Sequence, residues 1–185
     1  MATTEKSIDV NVPVRTAYNQ WTQFEEFPRF MSDVEAVNQL DDTHLHWRVK
    51  IAGVEREFDA EITEQRPDER IAWRTTSGVG HAGVVTFHKL EDAKTRVMFQ
   101  LEMTPETFTE KVGEKVGIVS QAAERDMKNF KEYIESRGTE TGAWRGEVPE
   151  GTGYGTTGHG TTGHGTAGPG TTGPGTTRDD VRGEF

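Results

Sequence analysis

Apolar side chains recur along this chain with two different periods, and the change of period marks out its elements. Leu45, Trp47, Val49 and Ile51 alternate with His44, His46, Arg48 and Lys50. Val54, Phe58, Ala60 and Ile62 alternate with Glu55, Glu57, Asp59 and Glu61, and Ala52-Gly53 between the two runs supplies a tight turn. A period of two predicts half-buried strands. A basic outer row facing an acidic one predicts an antiparallel hairpin with a wet face. Further strands are predicted at Ile71, Trp73 and Thr75, at Val85 and Phe87, and at Val97, Phe99, Leu101 and Met103. Turns are expected at Ser77–Gly80 and around Glu91, Asp92 and Lys94. An opening strand at Ser7–Val12, with Ile8, Val10 and Val12 inward, and a weaker one at Val34–Leu40 bring the count to about seven.

From Thr107 to Arg137 the period changes. Phe108, Val112, Val116, Val119, Ala123, Met127, Phe130 and Ile134 follow one another in steps of three or four, which keeps one face of a helix apolar throughout. At ~1.5 Å per residue this is a rod of about 46 Å, roughly twice the length of an ordinary strand. Thr107-x-x-Glu110 reads as a capping box and Gly138 as the stop, while Gly113 and Gly117 predict a break in the first turns. Near the start, Pro13 suits the first position of a helix carrying Val14, Ala17, Tyr18 and Trp21. Phe24, Phe27, Phe30 and Met31 surround Pro28 and predict a second short helix or turn. A curved sheet gripping one long helix tends to leave a hollow between them.

Composition narrows the function. The chain has 185 residues and a formal net charge of −10, so it holds one domain of ordinary size with no basic stripe. That argues against nucleic acid as a partner and against anionic membrane surfaces. With no cysteine there is neither a disulfide frame nor a thiolate metal site. No signal-peptide core and no apolar run of ~20 residues is present, so the expected location is the cytoplasm, without membrane insertion. Fifteen of the 21 glycines follow Arg137. Gly138 to Glu150 reads as a polar connector whose large apolar group is Trp144. Beyond it, repeats such as Thr156-Thr157-Gly158-His159-Gly160 and Thr171-Thr172-Gly173-Pro174-Gly175 offer too little apolar surface to offset their ordering entropy. The expected organisation is a folded domain at 1–137 and a disordered Gly/Thr tail at 138–185. Its repeat histidines, five apart, make a poor metal site, and no metal or cofactor is expected.

The order strand, two short helices, six strands, long helix resembles the helix-grip fold of the START-like (SRPBCC) superfamily, an α+β class with a seven-stranded curved antiparallel sheet. The stretch Val10-Asn11-Val12-Pro13-Val14-Arg15-Thr16-Ala17-Tyr18 through Trp21-Thr22-Gln23-Phe24-Glu25-Glu26-Phe27-Pro28-Arg29-Phe30-Met31 resembles the opening of its polyketide cyclase/dehydrase and coenzyme Q-binding (COQ10-like) branch. Gly83-Val84-Val85-Thr86-Phe87 and Asn129-Phe130-Lys131 look similar to that branch as well. The likeness spans about residues 4–137. It implies a cavity between sheet and helix, and relatives that include ring-closing aromatases, lipid carriers and quinone-binding proteins; a shared fold does not fix an activity.

Parity along the strands aims Trp47, Phe58, Trp73, Val85, Phe87, Phe99, Leu101 and Met103 at the helix, with Tyr18, Trp21, Phe27 and Phe30 closing one end. Most of these would serve as core, yet so many aromatics beside small residues suit a flat hydrophobic ligand. Arg56 falls in the inward register, where it either pairs with an acid, turns outward at a strand irregularity, or meets a polar group of a ligand. His81 is a candidate proton carrier at a cavity mouth, or else a solvated loop histidine. Tyr18 carries a hydroxyl that must find a partner if buried, or else is a helix residue whose tip reaches water; an enzyme would need Arg56, His81 or Tyr18 to orient and protonate carbonyls. The expected function is binding of a hydrophobic small molecule, a lipid, quinone or aromatic polyketide-like compound. A cyclase/dehydratase and a docking module for an unidentified protein partner are the alternatives. Motifs for nucleophile elbows, zinc proteases and phosphate loops are absent from the sequence.

Overall fold

The computed structural model describes residues 2–78, 80–103 and 112–151. Seven strands form one sheet: β1 (Ala2–Val10), β2 (Val34–Gln39), β3 (His44–Ile51), β4 (Val54–Arg66), β5 (Arg70–Thr75), β6 (His81–Glu91) and β7 (Lys94–Met103). Their order across the sheet is β1-β7-β6-β5-β4-β3-β2, and every neighbouring pair is antiparallel. The meander β2 to β7 needs only short turns. One long connection remains, and it brings β1 beside β7. Between β1 and β2 lie α1 (Val14–Trp21) and a 3-10 turn at Phe24–Arg29 that tolerates Pro28. The long helix, α2 (Val112–Arg137), follows β7. This is the helix-grip architecture expected from the sequence.

Two expectations change in detail. β1 starts well before Ser7, pairing Ala2 with Met103, and the helix runs without a break from Val112 through Gly117. The capping box at Thr107–Glu110 and Phe108 lie outside the described residues, as does Val79 of the β5–β6 turn.

The wet hairpin is built as its charges suggest. His44, His46, Arg48 and Lys50 sit opposite Glu61, Asp59, Glu57 and Glu55 in register. His46 Nδ1 lies 2.8 Å from Asp59 Oδ1, and Ser77 Oγ donates to Asp59 Oδ2 at 2.7 Å. These two hydrogen bonds hold the Asp59 carboxyl below the usual carboxylate range. Further along β4 the register with β5 shifts between Ile62 and Glu64. That irregularity buries Glu64, whose carboxylate is held between Arg66 (2.5 Å) and Arg70 (2.8 Å).

The apolar stripe of α2 does two jobs. Met127, Phe130 and Ile134 are buried and join Trp21, Phe27, Phe30 and the inner strands in the core. Earlier along the helix the residues whose side chains are described include Val119 and Ala123, half-buried, and Ile118, which is 43% exposed. Gly138, at φ +69°, ends the helix with its N–H on the Ile134 carbonyl at 2.9 Å, the left-handed stop that the sequence suggests.

The boundary expected at Gly138 does not hold. The chain continues through Val148 as a strap packed on α1 and β4. Gln20 reads the strap twice: its Nε2 donates to Thr141 Oγ1 and its Oε1 accepts from the Thr141 N–H, both at 3.0 Å. The Trp144 N–H donates to Thr22 Oγ1 at 3.0 Å, and Asn19 Nδ2 donates to Glu140 Oε1 at 2.8 Å. Val148 and Gln65 exchange both backbone bonds at 2.9 Å. Asn19, Gln20, Thr22 and Gln65 are all buried, so the strap supplies partners that water cannot. The repeat tail, expected to be disordered, lies outside the described residues.

Candidate functional site

A void of about 450 Å³ lies between the concave face of the sheet and the stretch of α2 that carries Ile118, Val119, Ala123, Asp126 and Met127. Small side chains on the helix, Val119 and Ala123, make the room. Large aromatics on the sheet make the walls. That volume lies within the range of small-molecule sites, roughly 300–1,000 Å³. The opening is apolar too: Val54, at 51% exposed, and Ile118 line the void and also meet solvent.

Most of the side chains singled out from the sequence meet at this void. Trp21 and Phe27 close its inner end. Trp47, Phe58, Trp73, Phe99 and Met103 line it from the sheet, with Arg56 and His81 as polar members of the wall. Trp47 and Phe58, directly opposite in register, stack at 5.8 Å between centroids with planes 12° apart, and His81 meets Phe58 edge-on at 4.8 Å.

Tyr18, Phe30 and Phe87 are not on that wall, which corrects the expectation for them. Phe30 is enclosed by Trp21, Phe27, Phe130 and Tyr133 at 5.2 to 6.2 Å between centroids, so it plugs the core. Tyr18 and Phe87 pack edge-on at 5.4 Å on the strap side, where the Arg145 guanidinium covers the tyrosine ring at 5.6 Å. Burial pushes the Tyr18 phenol up, against the opposing pull of Gln65 and Arg145. Its tip does not reach solvent.

Arg56 is opposite Val49 and in the inward register, as its parity requires. The cost of a buried charge is avoided because Val54 to Glu57, at the start of β4, are exposed. Arg56 thus sits at the mouth, and among the described residues it makes no ion pair.

Asp126 is the polar wall residue that the sequence reading missed. It lies three residues after Ala123 and four before Phe130, so its spacing already put it on the apolar stripe. Its side chain is 15% exposed, accepts the Ser32 N–H at 3.3 Å and lies 3.2 Å from Arg125 Nε. Arg125 also reaches Asp33 at 3.1 Å, tying α2 to the turn before β2. Burial raises the Asp126 carboxyl above the ordinary 3.8 despite the Ser32 N–H and Arg125. The folded chain therefore holds this proton more tightly than the unfolded one. On that account stability falls as pH rises from about 3.8 through the raised value, and is lowest where Asp126 is fully ionised. Asp126→Asn removes the dependence. In urea titrations from pH 3 to 7, its stability relative to the parent is expected to improve with pH and then level off; a constant difference would count against an ionising Asp126.

Among the described residues no cluster of three His, Asp or Glu side chains could hold a metal, and no helix is long and apolar enough to cross a membrane.

Comparison with known proteins converges on the same architecture. The family profile described as polyketide cyclase / dehydrase and lipid transport matches residues 10–132. An uncharacterized 17.2 kDa protein from the melC2-rnhH intergenic region of Streptomyces lincolnensis is 57% identical over 149 residues, covering 80% of this chain and 99% of that protein. Among solved structures, the Zhui aromatase/cyclase from Streptomyces sp. R1128 superposes with a TM-score of 0.65 at 14% identity, covering 77% of this chain and 98% of that one. A START superfamily protein from Mycobacterium smegmatis gives 0.60 at 15% identity, over 73% of this chain and 95% of that one. At such identities the structures establish a shared fold.

Proposed function

This chain belongs to the polyketide cyclase/dehydrase and lipid transport family, and we propose that it binds a hydrophobic small molecule, a lipid, quinone or aromatic polyketide-like compound, between sheet and α2. The observation that carries this reading is the apolar void itself. Trp47, Trp73 and Phe99 line it and are only partly buried, although burying such surface is worth ~25 cal/mol per Å². Side chains of this size left facing an internal void are what a ligand covers. A domain serving only as a docking module would gain stability by filling the gap, which Ala123 does not do.

A second reading is favoured by three polar groups on an otherwise apolar wall. Arg56, His81 and Asp126 all line the void. In a cyclase or dehydratase acting on a polyketide, Arg56 would hold a carbonyl oxygen, and His81 or Asp126 would move a proton. The raised pKa of Asp126 suits it to carry one. One fold neighbour is itself an aromatase/cyclase.

Native mass spectrometry of the protein purified from its own host tests the binding reading. A co-purifying hydrophobic ligand is expected, retained less well by Arg56→Ala. Ala123→Trp, which fills the void from the helix, is expected to lower affinity for that ligand at least tenfold, on the order of the 1.4 kcal/mol that a tenfold change represents. Unchanged retention in Ala123→Trp would exclude the void as the site. Turnover of a poly-β-ketone that is lost in Asp126→Asn, with binding intact, would favour the enzyme.

A further inference from the structure

Trp73 lies across from Gly83 in the β5–β6 register, and both fall on the concave face of the sheet. A side chain on a strand ordinarily stands up from the sheet. This indole leans over instead. A methyl carbon at Gly83 would meet Trp73 Cζ2 first, then Cε2 at 2.7 Å and Cη2 at 2.8 Å. Three bonded ring atoms at similar separations mean that the position lies over the ring face. An edge-on approach would set the two flanking atoms back by much of a bond length. One face of the indole thus rests where the Gly83 side chain would be, and the other is turned away from the sheet. Trp73 lines the void and is only partly buried. Phe99, 5.9 Å away between centroids and tilted by 35°, extends the surface along β7.

We propose that Gly83 and Trp73 together form a flat aromatic seat that makes this cavity prefer planar, conjugated ring ligands over flexible acyl chains. The inference rests on the ligand-binding reading above and adds the feature that discriminates between ligand classes. Gly83 is the determining position. Any larger residue there lifts the indole off the sheet, so that it takes volume from the void and no longer offers a face parallel to the floor. Stacking of an aromatic ligand on such a face depends on plane and distance, whereas an acyl chain packs against any apolar wall. Covering a cross-strand glycine with an indole also supports the β5–β6 pairing by itself. That simpler role predicts a loss of stability in Gly83→Ala that is indifferent to ligand shape.

The test uses the full chain and two probes with the same head group, pyrene-1-carboxylate and hexadecanoate, titrated calorimetrically. The parent protein is expected to bind pyrene-1-carboxylate more tightly. Gly83→Ala is expected to weaken it roughly two- to tenfold, the worth of one aromatic stack, while changing hexadecanoate less than about twofold. Trp73→Leu, which removes the seat but keeps an apolar wall, should show the same selective loss and serves if the alanine variant does not fold. Equal losses for both probes, or an unchanged preference in both variants, would overturn the seat while leaving the binding site standing. Failure of the parent to bind either probe would instead remove the ligand-binding reading, and the seat with it.

Discussion

Phe130→Ala is expected to lower the unfolding free energy by about 4 kcal/mol, near the middle of the range for deleting a fully buried phenylalanine. The ring has no exposed surface and meets Trp21 and Phe30 at 5.4 and 5.2 Å between centroids. Asn129 beside it donates to the Phe30 carbonyl at 3.1 Å, so the surrounding chain is pinned and cannot collapse into the space. The loss has two parts: the transfer of the ring out of an apolar site, and the hole left behind. Trp21 borders both this position and the ligand void, so the hole would adjoin the void and loosen its inner wall. Urea unfolding measures the effect. A domain of ordinary stability, about 5–15 kcal/mol, should survive it. A loss under about 1 kcal/mol would mean that α2 is held somewhere other than at this ring.

Arg145→Ala carries the second large effect, about 2 kcal/mol. The guanidinium fork spans Asp68, with Nη1 to Oδ1 and Nη2 to Oδ2 both at 2.8 Å, and Nη1 also donates to Asn19 Oδ1 at 2.8 Å. The side chains of Arg145 and Asp68 are 28% and 33% exposed. This is neither the surface pair worth about 0–1 kcal/mol nor the buried pair whose breaking costs about 3–5, and the value falls between them. Losing the cation would also strip cover from the Tyr18 ring and remove a group that now restrains its upward-shifted phenol. Arg145→Lys retains charge without the fork and should lose an intermediate amount. Denaturant unfolding gives the magnitude, and limited proteolysis between Gly138 and Val148 should show the strap released in the alanine variant. A strap equally protected in both would mean that the Gln20, Thr22 and Gln65 contacts hold it unaided.

The strap also explains where sequence reasoning ran out. Period two and period three-to-four are local signals, and they identified the hairpin of β3 and β4 and the buried C-terminal half of α2 because each apolar position answers to the same face. Parity went further and aimed Trp47, Phe58, Trp73, Phe99 and Met103 at a common space. Gly138 to Val148 has no such period. Its order comes from hydrogen bonds to Asn19, Gln20, Thr22 and Gln65, side chains distant along the chain whose burial is itself set by packing. Tyr18 and Phe87 lie off the cavity for a related reason: helical spacing and strand parity give the face of an element but not which stretch of that face another segment covers. Asp126 carried a readable signal in its spacing, and its meaning depended on the turn at Ser32 and Asp33 folding beneath it.

By itself, then, the amino-acid order determined the elements, their sequence, the antiparallel hairpin and the inward register of Arg56, since each follows from steric and solvation rules acting over a few residues. Only the tertiary structure decided that a void is left beside Val119 and Ala123, that Arg56 stands at an opening instead of in the core, and that the indole of Trp73 lies down on Gly83. Those outcomes depend on how volumes from distant segments add up in one place, and volume is summed in space.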